Sequence, residues 1–301
     1  MIDQANTRCG FVALLGAPNA GKSTLMNFIM GTKVSIVTHK VQTTRTRVVG
    51  VLTNGHDQIV FVDTPGIFAP TRRLERAMVA AAWVGAADAD KIVLLIDAER
   101  GLNEEVQLII DGIKRVGKTF IIGLNKIDLI PHEKLLGLAE KLQEISILES
   151  IYMISALKGD GVNDLLLQLN AVLPQGPWLY PEDHLSDMNE RLFAAEITRE
   201  KLFLTLHQEL PYSLTVETEG WQERQDGSLK VDQVIYVERA GHKGIVLGKG
   251  GQQIKRIGAE SRKELEHILD RRVHLFLFVK VREKWRDDPE RYREMGLEFS
   301  N

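Results

Sequence analysis

The sequence predicts an α/β domain, with a mostly parallel sheet covered by helices on both faces, followed by a smaller α+β domain. Three observations carry this. Strand-like apolar runs alternate with helical periodicity over about the first 170 residues. A stretch rich in proline and glycine, residues 173–181, then interrupts the pattern. Beyond it, an amphipathic helix leads into a hairpin pattern and a second glycine-rich loop. At 301 residues the chain is long enough for two cores, and 44% hydrophobic with 26% charged residues is ordinary for a soluble globular protein.

In order along the chain, residues 11–15, 59–62, 91–96, 119–124 and 151–154 read as buried strands. Helical patterns lie at 22–30, 71–84, 104–115, 132–146 and 162–173. A further strand at 47–52 pairs with 59–62 through Asn54-Gly55, a hairpin turn signal, and so adds one antiparallel pair to the sheet. In sheets of this kind ligands sit at the carboxyl ends of the strands. Apolar runs such as 92–96 fall short of the roughly 18 residues that span a bilayer, and residues 1–9 lack a signal pattern. The single cysteine, Cys9, excludes an intramolecular disulfide and a cysteine metal site, and fits a reducing, intracellular setting. The formal net charge of −3 excludes nothing, because an average hides local patches.

Gly16-Ala17-Pro18-Asn19-Ala20-Gly21-Lys22-Ser23, followed by Thr24, joins the first strand to the first helix and fits G-x-x-x-x-G-K-[ST]. The glycines let backbone N–H groups turn inward on a polyphosphate at a helix N-terminus. Lys22 supplies a point charge to the β/γ-phosphates, and Ser23 a hydroxyl to Mg²⁺. Asp63-Thr64-Pro65-Gly66 follows another strand, where Asp63 can hold Mg²⁺ through water and Gly66 can bring its N–H to a γ-phosphate. Asn125-Lys126-Ile127-Asp128 follows a third strand. The Asp128 carboxylate can accept both N1–H and N2–H₂ of guanine, which adenine cannot supply, while Lys126 lies along the ring and Asn125 braces loops or meets N7. Ser155-Ala156-Leu157 follows the last strand and can offer a backbone N–H to guanine O6. The nucleotide expected is therefore GTP or GDP with Mg²⁺, not ATP.

These four segments, in this order, resemble the P-loop GTPases over about residues 8–175, which implies a Ras-like domain. Residues 41–47 look like the first switch loop of that family. A threonine there binds Mg²⁺ and senses the γ-phosphate, here Thr44 with Thr43 as the alternative. The Gln that follows Asp-x-x-Gly in the Ras-type pattern and orients the attacking water is Ile67 in this chain. Either hydrolysis is slow unaided or another group positions the water. In some GTPases with an apolar residue at that position, a P-loop Asn, matching Asn19, holds a K⁺ ion.

In the second domain, residues 188–210 read as a long amphipathic helix, 213–223 and 229–239 as a hairpin around Asp226-Gly227, 254–269 as a helix and 273–281 as a strand. Gly248-Lys249-Gly250-Gly251 fits the GXXG loop that clamps a single-stranded RNA backbone. Residues 239–286 hold 13 Lys and Arg against 5 Asp and Glu, the footprint of a nucleic-acid face. The bland alternative is a solvated helix face paired to Glu260, Glu264 and Glu266. Lys243, Lys255 and Arg256 join the loop as candidate RNA-binding residues, with Ile245, Ile254 and Ile257 as candidate base contacts. The order of elements resembles the type II KH domain over about residues 190–282.

A GTPase domain (8–176), a linker (177–187), one KH domain (188–283) and a tail (284–301) form the layout of the Era family of bacterial ribosome-assembly GTPases, which the chain resembles over nearly its whole length. That resemblance implies binding to the 3′ region of small-subunit ribosomal RNA during late assembly of that subunit. It also implies a cytoplasmic monomer with peripheral contact to the inner membrane. Two other readings compete: a plain RNA-binding module with a structural nucleotide, which predicts no turnover, and a P-loop kinase or ATPase, which Asn125-Lys126-Ile127-Asp128 opposes.

Overall fold

The structure, a computed structural model, describes residues 7–299. Among them two compact units form: residues 7–35, 41–187 and 292–299, and residues 36–40 and 188–291.

In the first unit the strands are β1 (Arg8–Gly16), β2 (Val48–Asn54), β3 (Asp57–Asp63), β4 (Lys91–Asp97), β5 (Phe120–Asn125) and β6 (Leu148–Ile154). The helices are α1 (Lys22–Met30), α2 (Arg73–Asp88), α3 (Glu104–Val116), α4 (His132–Gln143) and α5 (Val162–Val172). The sheet order is β2-β3-β1-β4-β5-β6, parallel except for the β2–β3 hairpin. Its two apolar layers follow from the period of two along each strand. Ala13, Leu15, Leu94 and Ile122 meet Ala82, Ala86, Ile109 and Ile113 on one face, while Val12, Leu14, Phe61 and Val93 meet Leu25, Met26, Leu165 and Leu169 on the other. Because β1, β3, β5 and β6 run parallel, the loops that follow them open together at the carboxyl end of the sheet.

Several boundaries differ from the sequence reading. α2 starts at Arg73 rather than 71 because the Glu75 carboxylate accepts from the Thr71 and Arg72 amides, at 2.7 and 3.0 Å, and holds them outside the helix. β6 begins three residues before 151 and α4 ends three before 146. Residues 177–187, expected as a linker, pack on the first unit. Gln58, fully buried in β3, accepts from the amides of Leu179 (2.9 Å) and Tyr180 (3.0 Å) and donates to Tyr180 O (2.9 Å). Val51 N donates to Leu185 O at 2.9 Å, and Gly50 bridges Ser186. An edge strand presents unpaired backbone groups, and this segment covers them. Proline and glycine forbid a helix here, but they do not forbid pairing.

The second unit contains α6 (Glu190–Thr205), β7 (Leu214–Glu223), β8 (Leu229–Val237), α7 (Ala240–Leu247), α8 (Gln252–Leu269) and β9 (Val273–Val281), with strand order β7-β8-β9. β7 runs antiparallel and β9 parallel to β8. Helices α6 and α8 cover one sheet face through Leu202, Ile257 and Leu265 against Ile235, Val279 and Val231. α6 stops at Thr205, short of the expected 210, with Gln208 at φ 55° and Pro211 beyond it. The contiguous division expected from the sequence is also revised. Residues 36–40 belong to the second unit, with Ile36 in its core and Val37 N donating to Glu200 Oε1 at 2.8 Å. The tail divides too. Trp285 is buried in the second unit and donates to Ser213 O at 3.2 Å, residues 292–299 count with the first, and 300–301 lie outside the described residues.

Candidate nucleotide site and RNA-binding loop

The phosphate loop carries Asn19 at φ 66° and Gly21 at φ 100°. A Cβ on Gly21 would lie 2.2 Å from Asn125 Nδ2, so close approach as well as conformation requires glycine. Asn125, from the end of β5, donates to Ala20 O at 2.8 Å and accepts from the Ala156 amide at 2.9 Å, so it ties the phosphate loop to the loop after β6. Lys22, the first residue of α1, is buried, with Nζ donating to Gly16 O (3.1 Å) and Ala17 O (3.2 Å). Burial lowers its pKa to about 8, partly opposed by the charge of Asp63. A polyphosphate in the loop would favour the charged form.

Ser23, Thr44 and Asp63, the predicted metal residues, come together. Ser23 Oγ donates to Asp63 Oδ2 at 2.7 Å and lies 3.0 Å from Thr44 Oγ1. Of the adjacent threonines, Thr44 is the one at this cluster, and Thr43 lies half-buried beside it. Asp63 is fully buried. Its carboxyl pKa is raised by burial, opposed by Lys22 and by donors from Ser23, Ser35 and Thr44. Asp63 Oδ1 has no hydrogen-bond partner among the described residues. A buried carboxylate oxygen left open beside two hydroxyls fits a hard divalent cation such as Mg²⁺.

Thr64 Oγ1 donates to Leu14 O at 2.8 Å, and Gly66 passes so close to the phosphate loop that a Cβ would stand 3.0 Å from Pro18 N. Ile67 N donates to Gly16 O at 3.1 Å, while its side chain is buried in the first apolar layer beside Ala17. Residue 67 therefore lacks a polar group and also faces the core.

At the base end, Ser155 Oγ donates to Asp128 Oδ1 at 2.8 Å and Lys158 Nζ lies 3.7 Å from Oδ2. Chiefly the Ser155 hydrogen bond holds the Asp128 carboxyl below the usual range, so it is ionised, as acceptance of two guanine N–H groups requires. Lys126, at φ 66°, pairs with Asp97 at the end of β4. The Ser155 amide donates to Asp160 O (2.9 Å) and the Ala156 amide to Asn125, so neither of these two N–H groups is open to guanine O6 in this arrangement. Sequence reasoning missed Ser35, Asn27, Asp97 and Lys158. Only Asp97 had a signal, its place at the carboxyl end of a strand.

In the second unit Gly248 (φ 70°, ψ 177°) follows the end of α7, and Gly250 (φ 61°) and Gly251 (φ 75°) turn the chain into α8. No element is legible in the sequence of residues 240–247, where Gly241 and Gly244 weaken helical propensity. Lys249, Lys255 and Arg256 are exposed at the α8 N-terminus, and Lys243 is half-buried. Arg256 is shared with Glu260 (3.7 Å) and Thr205 (3.4 Å). Glu264 instead pairs with Lys201 of α6, and Glu266 accepts from Val273 N at 3.1 Å, so neither neutralises the loop. Ile245 is 55% exposed and Ile254 half-buried, but Ile257 is core, which removes it as a base contact.

Residues 11–126 match the family described as 50S ribosome-binding GTPases, and residues 209–286 match the KH domain family. Fold and site together define a P-loop GTPase that carries a KH domain. GTPase Era of Rhizobium meliloti (strain 1021) is 59% identical over 293 residues, covering 97% of this chain and 94% of its own. GTPase Era of Agrobacterium fabrum (strain C58) is 60% identical over 293 residues, covering 97% and 92%. The chain belongs to the Era family of GTPases. Era solved in complex with MgGDPNP and nucleotides 1506–1542 of 16S ribosomal RNA is similar at a TM-score of 0.92 and 40% identity, covering 97% of this chain and 99% of its own. An Aquifex aeolicus Era variant bound to GDP·AlF4⁻ is similar at 0.90 and 40%, covering 96% and 99%.

Proposed function

We propose that this GTPase is a Mg²⁺-dependent switch whose KH unit binds the single-stranded 3′ region of small-subunit (16S) ribosomal RNA and acts in assembly of the small (30S) subunit. The observation that carries it is the coexistence in one chain of the Ser23–Thr44–Asp63 cluster and a left-handed glycine loop at the N-terminus of α8. The related Era complex with MgGDPNP and 16S nucleotides supports it.

Ser23, Thr44 and Asp63 would hold the metal, which when bound neutralises charge on the β- and γ-phosphates. Lys22 would exchange its backbone carbonyls for phosphate oxygens, and loss of the γ-phosphate would release Thr44 with the loop 41–47. Asp128 reads guanine, and Lys126 lies along the ring. With Ile67 in the core, Asn19 is the residue proposed to recruit K⁺. Turnover of GTP is expected to be several-fold faster in KCl than in NaCl, and equal rates would remove the K⁺ role.

The reading as a whole is tested with a fluorescent oligonucleotide of the rRNA 3′ end, by anisotropy with GDP and with a non-hydrolysable GTP analogue. Binding that differs between the two nucleotides, together with RNA-stimulated turnover, is expected. Absence of binding in both states ends the RNA reading. We further propose a cytoplasmic monomer in peripheral contact with the cytoplasmic face of the membrane, supported by the family resemblance. No helix among the described residues is long and apolar enough to cross a membrane.

A further inference from the structure

Asn27 and Ser35 lie outside every motif, yet they extend the metal cluster by one layer. Asn27 sits on α1, which is anchored in the core by Leu25, Met26 and Ile29. Its Oδ1 accepts from the amides of Val34 and Ser35, both at 2.9 Å, and its Nδ2 donates to Ser35 O at 2.8 Å. The backbone of Ser35 is therefore tied to a rigid helix. From that position Ser35, only 2% exposed, donates its hydroxyl to Asp63 Oδ2 at 3.1 Å. The other hydroxyls on this carboxylate, those of Ser23 and Thr44, are the ones assigned to the cation. Ser35 is the one of the three not assigned to the cation, and it lies outside residues 41–47, the loop expected to leave with the γ-phosphate.

We propose that Ser35, held by Asn27, is a positioning residue for the Mg²⁺ site: it keeps Oδ2 of Asp63 engaged and Oδ1 open toward the cation's shell in both nucleotide states. This rests on the Mg²⁺ reading above. A carboxylate without that donor can rotate about its terminal bond and swap its oxygens, and a metal shell loses affinity when its outer-layer hydrogen bonds are removed. Thr44, in contrast, belongs to the loop 41–47 that is expected to leave with the γ-phosphate.

The experiment measures release of a fluorescent GDP analogue, and of a fluorescent non-hydrolysable GTP analogue, across a Mg²⁺ titration. Full-length wild type, Ser35→Ala, Asn27→Ala and Thr44→Ala are compared, with melting temperatures as a check on folding. For Ser35→Ala the Mg²⁺ concentration that half-slows release is expected to rise roughly tenfold or more with both nucleotides. Nucleotide affinity in excess chelator should stay that of wild type. Asn27→Ala keeps the hydroxyl but frees its backbone, and should shift the same midpoint in the same direction. Thr44→Ala should shift it only with the triphosphate. A Ser35→Ala titration that superimposes on wild type overturns the proposal. So does a shift confined to the triphosphate, which would place Ser35 in the switch, or an equal loss of affinity in chelator, which would mark general loosening. If release from wild type itself ignores Mg²⁺, the metal reading falls first, and that result is distinct from a failure of Ser35 alone.

Discussion

Asp128→Asn is expected to lower affinity for GTP by roughly 10²- to 10³-fold and to create affinity for xanthosine triphosphate. The carboxylate accepts two N–H groups of guanine as an anion. In the variant one oxygen is replaced by an NH₂ that faces another NH₂, so one charge-assisted bond is lost and two donors oppose each other. Xanthine carries a carbonyl at that position and restores the pairing. The fold should be little disturbed, because Asn can still accept the Ser155 hydroxyl that now bonds Oδ1. Displacement of fluorescent GDP by each triphosphate reads the result. An affinity for GTP within threefold of wild type would mean that Asp128 does not read the base.

The second large effect is expected in the glycine loop, and the structure decides which glycine to change. Gly248 combines φ 70° with ψ 177°, and a Cβ there would lie 2.6 Å from that of Gln253, so any substitution mixes strain with charge. Gly250 is an ordinary left-handed residue at φ 61° and ψ 22° with nothing within 4 Å of an added Cβ, a conformation that Asp tolerates. Gly250→Asp should therefore place an anion against the RNA backbone without unfolding the loop. RNA affinity is expected to fall by at least about tenfold, most steeply at low salt. Lys249→Ala should weaken binding and reduce the salt slope by about one. GTP turnover without RNA should be unchanged, and RNA stimulation should be lost in proportion to binding. RNA binding that survives Gly250→Asp at low salt would remove the loop from the interface.

The nucleotide site was legible because its chemistry is carried by contiguous segments. Residues 16–23, 63–66, 125–128 and 155–156 each follow a strand in the sheet, and topology alone brings strand ends together. Their identities announce phosphate, metal and guanine before any contact is known. What stayed hidden depends on partners far apart in sequence. Ser35 meets Asp63 across 28 residues and Gln58 meets Tyr180 across 122, and neither pair leaves a periodicity or a motif. Ile257 showed apolar character without saying which way it faced.

By itself the sequence determined that the chain has two folds, that the first takes a guanine nucleotide, and that the second presents a basic glycine loop. Local residue type and strand–helix order are sufficient for those properties. Tertiary structure decided that Thr44 reaches the cluster, that Ile67 turns into the core, and that residues 177–187 are an edge cover instead of a free linker. It also allotted residues 36–40 to the second unit. Each of these is a choice between orientations or pairings that the local chain permits equally, and only burial and the satisfaction of backbone hydrogen bonds selects among them.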